Sequence, residues 1–436
     1  MPQGSLPQAP SDPFEAFMSN ASIRKHSVVI VGAGTGGTTV AAQLRRQEPG
    51  LDIAIIDPSS HHDYQPAWTL VGGGAYKAED TRRPLHDCLP DGVRHIAQRV
   101  TALLPDERQV ELDDGTRVAY DYLVVAAGIQ INWNAIDGLA EALGKNGVTS
   151  NYRYDLAPYT WELVSRFQGG TAIFTQPAGA VKCPGAPQKA LYLAADDFRR
   201  RGVKADSLQF RTAGASVFGV PFYAQALDKV MASYGAQPRF GQNLVQVRGE
   251  EKIAVFESVI DGEKVREEVS YDLLHVVPPQ SAPDFIRNSS LADANGWLEV
   301  DKNTLRHARY PNVFGLGDCT STPNSKTAAA IKSQAPVLTL NLLSVLRGAG
   351  NVESYDGYAA CPLTTSRGKV LLAEFTYGGT ITPSFPFDPR IPRRFYWWLK
   401  RSFMPWFYWN ILLKGRGLPV THRTRSFPTG VPSVQP

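Results

Sequence analysis

The sequence predicts an α/β protein made of two Rossmann-like domains, followed by a C-terminal amphipathic membrane-binding helical segment. Three observations predict it. A strand, a glycine-rich turn, a helix and a second strand ending in an acid follow one another near the N-terminus. A second run of alternating strands and helices occupies the middle, with its own glycine turn degraded. A basic run crowded with aromatic residues closes the chain. The implied organisation is a leading tail over 1–25, a first dinucleotide-binding part over 26–148, a second Rossmann-like unit over 149–297, the remainder of the first unit over 298–380, and the aromatic, basic segment over 381–436.

With 436 residues, the chain is long enough for about three domains of ordinary size. Four cysteines (Cys88, Cys183, Cys319, Cys361) cannot form a secreted disulfide framework at this length, which points to a reducing compartment in which any disulfide is catalytic. No stretch approaches the ~20 uninterrupted apolar residues of a membrane span. The first twenty residues are rich in proline and hold no lysine or arginine, so they read as a flexible tail and not as a secretory or transit signal. The net charge is +4, yet the nine lysines and arginines from Arg390 onward meet no acid, which leaves the body at −5. No nucleic-acid partner is implied.

The N-terminal motif is the most specific signal. "SVVIV" reads as a buried parallel strand. Gly32, Gly34 and Gly37 then form G-x-G-x-x-G and open directly into a helical run. "DIAIID" is the second strand, ending in Asp57, twenty residues after Gly37. The glycines let backbone approach a pyrophosphate, the helix N-terminus faces its charge, and the acid receives ribose hydroxyls. This is a site of the FAD/NAD(P) type, and the motif does not choose between the two cofactors.

The middle of the chain bears on that choice. "TAIFTQP" and "LQFRTA" read as buried strands, each followed by a helix. The turn after the second, "TAGASVFGVPFYAQAL", places Gly214 and Gly219 five apart, and no acid follows in "PRFGQNLVQV". A working pyridine-nucleotide site is therefore not expected here. Near the far end, "YPNVFGLGDCTSTPNSKTAAAIKSQ" reads as a short strand, a Gly-Asp turn and a long helix from about Thr327. Asp318 is placed to accept bonds from a polyol, and the helix start at Ala328 to Ile331 to face an atom that gains negative charge. "FGLGDC" resembles the second FAD signature of flavoproteins with two dinucleotide domains. "YDYLVVAAG", ending in Gly128, resembles their strand that returns to the FAD domain.

Cys183 lies in "AVKCPGAPQKALYLAADDFRRRG". The apolar residues Ala190, Leu191, Leu193, Ala194 and Phe198 predict a helix that Gly202 ends, and Pro187 suits its first turn. The cysteine thus precedes a helix N-terminus, where the dipole and Lys182 favour a thiolate. The alternative is a buried, inert cysteine. Cys361, in "YDGYAACPLTTSRGKVLLAEF", is expected ahead of a strand. No C-x-x-C exists. Cys88 and Cys319 read as packing residues. His61 and His62 are adjacent and share no face, so they read as loop residues and not as metal ligands.

"KCPGAPQK", "HHDYQPAWTLVGGG", "HVVPPQSAPD", "YPNVFGLGDCT", "YDGYAACPL" and "YWN" resemble the eukaryotic-type (type II) branch of the sulfide:quinone oxidoreductases, from about Ser27 to Gly417. The resemblance implies FAD as cofactor, hydrogen sulfide as donor, a ubiquinone-like quinone as acceptor, and a redox pair formed by Cys183 and Cys361. It implies FAD contacts at Thr35, Gly36, Asp57, Gln65, Val100, Asp318 and Ala328, Ala329, Ala330 and Ile331. Many bacterial members carry a further cysteine after the strand matching "YDYLVVAAG". Here "IQINW" follows, so a three-cysteine mechanism is unsupported. The implied chemistry is attack of hydrosulfide on the Cys183–Cys361 disulfide or its sulfur-bridged form, a persulfide on Cys361, and transfer of that sulfur to sulfite, glutathione, coenzyme A or a second sulfide. Lys182 and the helix start would lower the Cys183 pKa. Lys182 and His275 are the candidates for a proton-handling base.

The C-terminal run "RIPRRFYWWLKRSFMPWFYWNILLKGRG" holds nine aromatics between Phe395 and Trp409. Phe395, Trp398 and Leu399 fall at helical spacing, as do Trp406, Trp409 and Leu413, with Pro405 expected to separate two short helices. Lys400, Arg401 and Lys414 are expected to face anionic lipid. A core-packing or dimer-contact segment is the alternative, and a homo-oligomer stays open. The expected location is the inner membrane, at the cytoplasmic face of a bacterial membrane first and the mitochondrial inner membrane second. Competing functions are a type II NADH:quinone dehydrogenase, a flavocytochrome-type sulfide dehydrogenase and a membrane-associated flavin-binding scaffold protein.

Overall fold

The computed structural model describes residues 24–417 and, beyond them, 424–425, 427–428 and 430–433. The leading segment up to residue 23 lies outside the described residues. Its boundary strand, Arg24–Val31, begins with Arg24 and Lys25, which pair with Val118 and Ala119.

Two parallel sheets organise the chain. In the first, the order is Val93–Ile96, Ile53–Ile56, Arg24–Val31 and Arg117–Val125, with Val313–Gly315 also pairing parallel to Arg117–Val125. An antiparallel extension, Gln109–Leu112 and Val100–Leu104, continues it. The central strands are buried on both faces, with Val28, Val29 and Ile30 wholly inaccessible. That is why they read as continuous apolar runs and not as alternating ones. Helix Thr35–Gln47 packs on one side of this sheet, against the long helix Ala328–Leu346.

The second sheet orders Val148–Thr149, Leu273–His275, Thr171–Gln176, Ser207–Thr212 and Gln237–Arg239, all parallel. Helices Ala186–Arg201 and Pro221–Ser233 follow its third and fourth strands. An antiparallel sheet of Asn243–Arg248, Ile253–Ile260 and Glu263–Ser270 branches from this unit. The turn that would bind a nucleotide here is filled from within. Val217 and Phe218 are buried in it, and the Gln188 side-chain amide donates to the Val217 carbonyl.

Helix Ala328–Leu346 is long and apolar enough to cross a membrane by length and composition. It is a core element instead, with Ala335, Leu338 and Leu342 fully buried against Val28, Ile30 and Phe314. Its start is fixed by Thr327, whose hydroxyl accepts from the Ala330 N–H.

Cys361 sits inside a strand, Ala359–Ser366, and not ahead of one. The strand pairs antiparallel with Lys369–Phe375, with Cys361 opposite Ala373. This hairpin shares one apolar core with helix Ala186–Arg201.

The C-terminal segment runs as one helical stretch from Arg394 to Leu412, alternating α turns with two wider π turns, Leu399–Phe403 and Tyr408–Leu412. Pro405 does not separate two helices. It stands in the first turn after a π turn, where its missing N–H is tolerated and the backbone stays helical. The segment ends against helix Thr35–Gln47. A side chain at Gly415 would come within 2.6 Å of the Ala42 backbone.

The Gly37 backbone crosses under Gly32 so closely that a Cβ would stand 1.8 Å from the Gly32 carbonyl oxygen, whereas Gly50 faces open space. Gly37→Ala is expected to destabilise by at least about 1–3 kcal/mol and Gly50→Ala by less than ~0.5 kcal/mol, read as the fall in thermal midpoint of the two purified variants.

Candidate active site

The carboxyl ends of the first sheet converge. Val31 and Gly315 both lie in register with Val125, so Gly32, Gly128 and Asp318 leave the same edge together. That edge is where doubly wound folds bind ligands. Gly32 has φ +99°, and a side chain there would strike the Ala126 carbonyl at 2.6 Å. Gly36 packs against Leu316, while Gly34 and Gly128 face open space. Asp57 buttresses the loop: its carboxylate accepts from the Ala33 N–H at 2.7 Å and the Ser59 N–H at 2.8 Å. Two oxygens still carry free lone pairs for a hydroxyl ligand. Val100 is buried at the start of its strand, at the outer end of the sheet.

The second half of the site is built by segments from three parts of the chain. The Cys183 N–H donates to the Lys326 carbonyl at 2.8 Å, which ties the cysteine to the loop leading into helix Ala328–Leu346. Cys183 holds φ +51°, a left-handed conformation unusual for a side chain of this kind. Its carbonyl accepts from Ala186 N–H at 2.7 Å, closing the turn into helix Ala186–Arg201. Gly185 makes room for the other thiol, since a side chain there would stand 2.6 Å from Cys361 Sγ. The two sulfur atoms, 178 positions apart, lie 3.6 Å from one another, and both thiols are free.

The electrostatics of the pair are asymmetric. Lys189, on the first turn of the helix and 2% exposed, directs its ammonium to Cys183 Sγ at 2.9 Å. The hydrogen bond from Cys361, then the Lys189 and Lys400 ammonium groups, hold the Cys183 pKa well below the usual thiol range against the upward push of burial. Cys361, which donates that bond and faces the Cys183 charge, is pushed well above it. Burial pulls Lys189 down, but the two sulfurs outweigh it and raise its pKa. Cys183 is thus the anion and Cys361 the thiol.

Two expectations are overturned by these contacts. Lys182 does not act on Cys183. Its ammonium bonds Gln65 and lies 3.8 Å from Asp318, and its carbonyl accepts from the Tyr152 hydroxyl at 2.7 Å. The lysine that does act is Lys189, six residues on, where the helix turns its side chain back over the preceding loop. Lys400 is not directed at solvent or lipid: it is 5% exposed and acts on both cysteines. His275 is wholly buried, accepts from the Asn151 N–H at 3.1 Å and stacks on Phe174; burial pushes its pKa down to about 4, so it is neutral at physiological pH. Cys88 and Cys319 are buried, and burial raises each to about 11.

His61 and His62 do not lie in a loop. They open a short strand, His61–Asp63, paired antiparallel with Arg82–Pro84, which turns one ring outward and the other inward. The inward ring, His62, has specific partners. Its Nδ1 bonds the Ala33 carbonyl at 3.0 Å, and burial lowers its pKa. The neutral ring then accepts at Nε2 from the Tyr408 hydroxyl, 2.6 Å away, which in turn accepts from Thr35 Oγ1 at 2.8 Å. The C-terminal segment is thereby bonded to the glycine loop. No sequence signal connects residues 373 positions apart; Lys189, by contrast, stands within the string "KCPGAPQK".

A dinucleotide edge joined to a half-buried thiolate beside a buried thiol defines a flavin-linked disulfide oxidoreductase. A family model described as pyridine nucleotide-disulphide oxidoreductase matches residues 26–334. The mitochondrial sulfide:quinone oxidoreductase of Dictyostelium discoideum is 46% identical over 393 residues, spanning 89% of this chain and 86% of that protein. The mitochondrial enzyme of the same name from Mus musculus is 40% identical over 391 residues, spanning 89% and 87%. The crystal structure of the sulfide:quinone oxidoreductase from Aquifex aeolicus superposes with a TM-score of 0.75 at 20% identity, covering 94% of this chain and 100% of that one. The chain belongs to the pyridine nucleotide-disulphide oxidoreductase family, in its sulfide:quinone oxidoreductase branch.

The family cofactor is FAD, and the residues present fit it. The glycine loop offers the open ground over Gly34 and Gly128 that a dinucleotide needs, and a buttressed acid stands at the end of the second strand. The start of helix Ala328–Leu346 and Asp318 flank the edge on which Gln65 and Lys182 meet.

Cys183 is expected to be alkylated first among the four cysteines of the reduced protein at pH 7. Its reaction should stay fast as pH falls to its depressed pKa and fail below it. Cys361 should need alkaline pH. Lys189→Met is expected to raise the Cys183 midpoint and slow its alkylation at pH 7 by about tenfold or more. Peptide mass mapping of timed iodoacetamide quenches reads both.

Proposed function

We propose that this enzyme oxidises sulfide at Cys183 and Cys361 and delivers the two electrons to a quinone. The single observation that supports this reading is the 3.6 Å approach of the two sulfurs beside the FAD edge, with the buried Lys189 ammonium 2.9 Å from Cys183 Sγ. When bound, FAD supplies the two-electron relay between dithiol and quinone.

The residues carry the sulfur steps. In the oxidised protein the pair forms a disulfide, or the same bridge with one more sulfur in it. In the disulfide form, hydrosulfide attacks the sulfur of Cys361; an S–S bond forms there, the Cys361–Cys183 bond breaks, and Cys183 leaves as a thiolate, whereas in the bridged form the same attack breaks the bond to the bridging sulfur, which leaves on Cys183 as its persulfide anion. Cys361 then holds the persulfide, which carries the proton of the hydrosulfide. Lys189 favours this direction, because the better-stabilised thiolate is the better leaving group. A small thiolate or sulfite then attacks the outer sulfur, takes it as a sulfane sulfur, and releases Cys361 as a thiolate. Gly185 keeps the passage between the sulfurs clear, and the strained Cys183 backbone fixes the direction of its thiolate. We assign the contacts to FAD to Gly32, Gly34, Thr35, Gly36, Gly37, Asp57, Gln65, Val100, Gly128, Asp318 and the start of the long helix at Ala328 to Ile331.

A lipid surface is the partner we assign to the C-terminal segment. Its outer face carries Phe395, Trp398 and Trp406, 44%, 53% and 53% exposed, beside the exposed cations Arg394 and Arg401. Aromatic rings at headgroup depth with cations alongside suit an interface and a lipid-borne quinone. The same partition holds for the fold: we take 26–148 with 298–380 as the FAD unit and 149–297 as the second unit. The relatives named mitochondrial support the mitochondrial inner membrane over a bacterial one. An NADH dehydrogenase is disfavoured by the buried Val217 and Phe218 in the would-be nucleotide turn.

Anaerobic addition of sulfide is expected to bleach the flavin band rapidly, and NADH to leave it. Cys183→Ser and Cys361→Ser should each slow the sulfide reaction by roughly a thousandfold or more. Rapid bleaching by NADH, or wild-type rates in either serine variant, refutes the assignment. Trp398→Ser with Trp406→Ser is expected to abolish co-sedimentation with anionic vesicles while leaving sulfide-driven bleaching in detergent unchanged.

A further inference from the structure

The last turn of the C-terminal stretch makes contacts that neither lipid binding nor the sulfur pair requires. Tyr408 and Trp409 open its second π turn and are buried, packed with Leu412 and Leu413 against Tyr64, Ala67 and Cys88. The Tyr408 ring lies 4.5 Å from that of Tyr64, and the Arg83 guanidinium covers Trp409 at 4.3 Å. The Tyr408 hydroxyl belongs to a closed ring of hydrogen bonds. Thr35 Oγ1 donates to it at 2.8 Å, it donates to His62 Nε2 at 2.6 Å, and His62 Nδ1 donates to the Ala33 carbonyl at 3.0 Å. The backbone from Ala33 to Thr35 completes the circuit. Each donor in it has one proton, and each proton is used inside it. Thr35 thus keeps no hydroxyl proton for a phosphate and meets one through its backbone N–H. Among the described residues no side chain caps helix Thr35–Gln47, which leaves its first N–H groups for an anion. What aims those groups is the grip on Ala33: its N–H is held by Asp57 at 2.7 Å, and its carbonyl by Thr38 Oγ1 at 2.9 Å as well as by His62. Asp57 and Thr38 belong to the dinucleotide unit itself, whereas Tyr408 arrives from the far end of the chain. A few residues on, Gly415 crosses the same helix at Ala42.

We propose that Tyr408 and His62 are positioning residues for FAD: through Thr35 and Ala33 they hold the pyrophosphate turn in its binding shape, so the lipid-facing segment clasps the cofactor, and FAD is held tightly only while that segment is seated on the body. This rests on the reading of 32–37 as the FAD turn and of the C-terminal stretch as the lipid-facing one, and on nothing in the sulfur chemistry. Seating of the segment and binding of FAD are then linked, and each favours the other by the same factor. A hydroxyl on one ring at the membrane end of the chain sets how well the opposite end keeps its cofactor.

The test is the rate at which the holoenzyme releases FAD after dilution into cofactor-free buffer, read as flavin fluorescence in the filtrate. Tyr408→Phe keeps the packed ring and removes one hydroxyl, which strands the Thr35 hydroxyl and His62 Nε2; release is expected to quicken about tenfold or more. Ser402→Ala, exposed on the same stretch, should release FAD as wild type does. Thr35→Val should also quicken release, and the double variant Thr35→Val/Tyr408→Phe should be no faster than Tyr408→Phe alone, because both changes break one circuit. Effects that multiply, or wild-type release from folded Tyr408→Phe, overturn the proposal. Should Tyr408→Phe fail to fold, the linkage is read on the wild-type protein by hydrogen exchange. Amides over 394–412 should exchange faster once FAD is stripped from the holoenzyme, and those of Ile253–Ile260, in the sheet that branches from the second unit, should not. No change over 394–412, or equal quickening of both, overturns it. No readout involves sulfide, so a failure of sulfide-driven bleaching in flavin-retaining protein would count against the function and leave this measurement standing.

Discussion

A buried ammonium 2.9 Å from a sulfur atom is the contact on which the rest of the site depends. Lys189 is taken almost wholly out of water, at a cost of several kcal/mol for an unpaired ion. Negative charge on the sulfur pair offsets that cost, so burial of the lysine and ionisation of the cysteine are coupled. The same contact breaks the symmetry of the pair. Two identical thiols in one apolar pocket would both be pushed up by burial; one cation placed on one of them makes a leaving group of that sulfur and a carrier of the other.

Holding that contact requires backbone that departs from ordinary preferences. Cys183 keeps φ +51°, worth about 1–3 kcal/mol of strain, because its N–H is held by the Lys326 carbonyl and its own carbonyl by Ala186. Gly185 is the complement, an absent side chain where Cys361 must stand. The strain is stored by two flanking elements that do not yield, the helix Ala186–Arg201 and the loop into helix Ala328–Leu346. The sulfur pair is therefore fixed to the same loop that leads to the flavin edge.

The remainder of the architecture closes alternatives. The second unit keeps the strand and helix order of a nucleotide-binding domain, yet Val217 and Phe218 occupy its turn, so its service is as a platform for Cys183 and Lys189. The C-terminal segment forms a third wall. Through Tyr408 it is bonded to the glycine loop, and through Tyr396 and Leu399 it packs on the hairpin that carries Cys361.

The sequence by itself determined the two parallel sheets, the glycine turn with its acid at Asp57, the helix starts near Ala186 and Ala328, the loss of the second nucleotide turn and the aromatic character of the end. Each of these is local: strand periodicity, turn chemistry and capping act over a few residues and are written in consecutive letters. Only the tertiary structure decided that Lys189 and not Lys182 serves Cys183, that Cys361 lies within a strand, that Pro405 leaves the helix unbroken, and that Lys400 turns inward. Those outcomes depend on which distant surfaces share a core. A charged residue in an aromatic run looks solvated until the hairpin it faces, from earlier in the chain, is seen to bury it. Helical spacing alone does not tell the outer stripe of Phe395, Trp398 and Trp406 from the inner one of Tyr396 and Leu399.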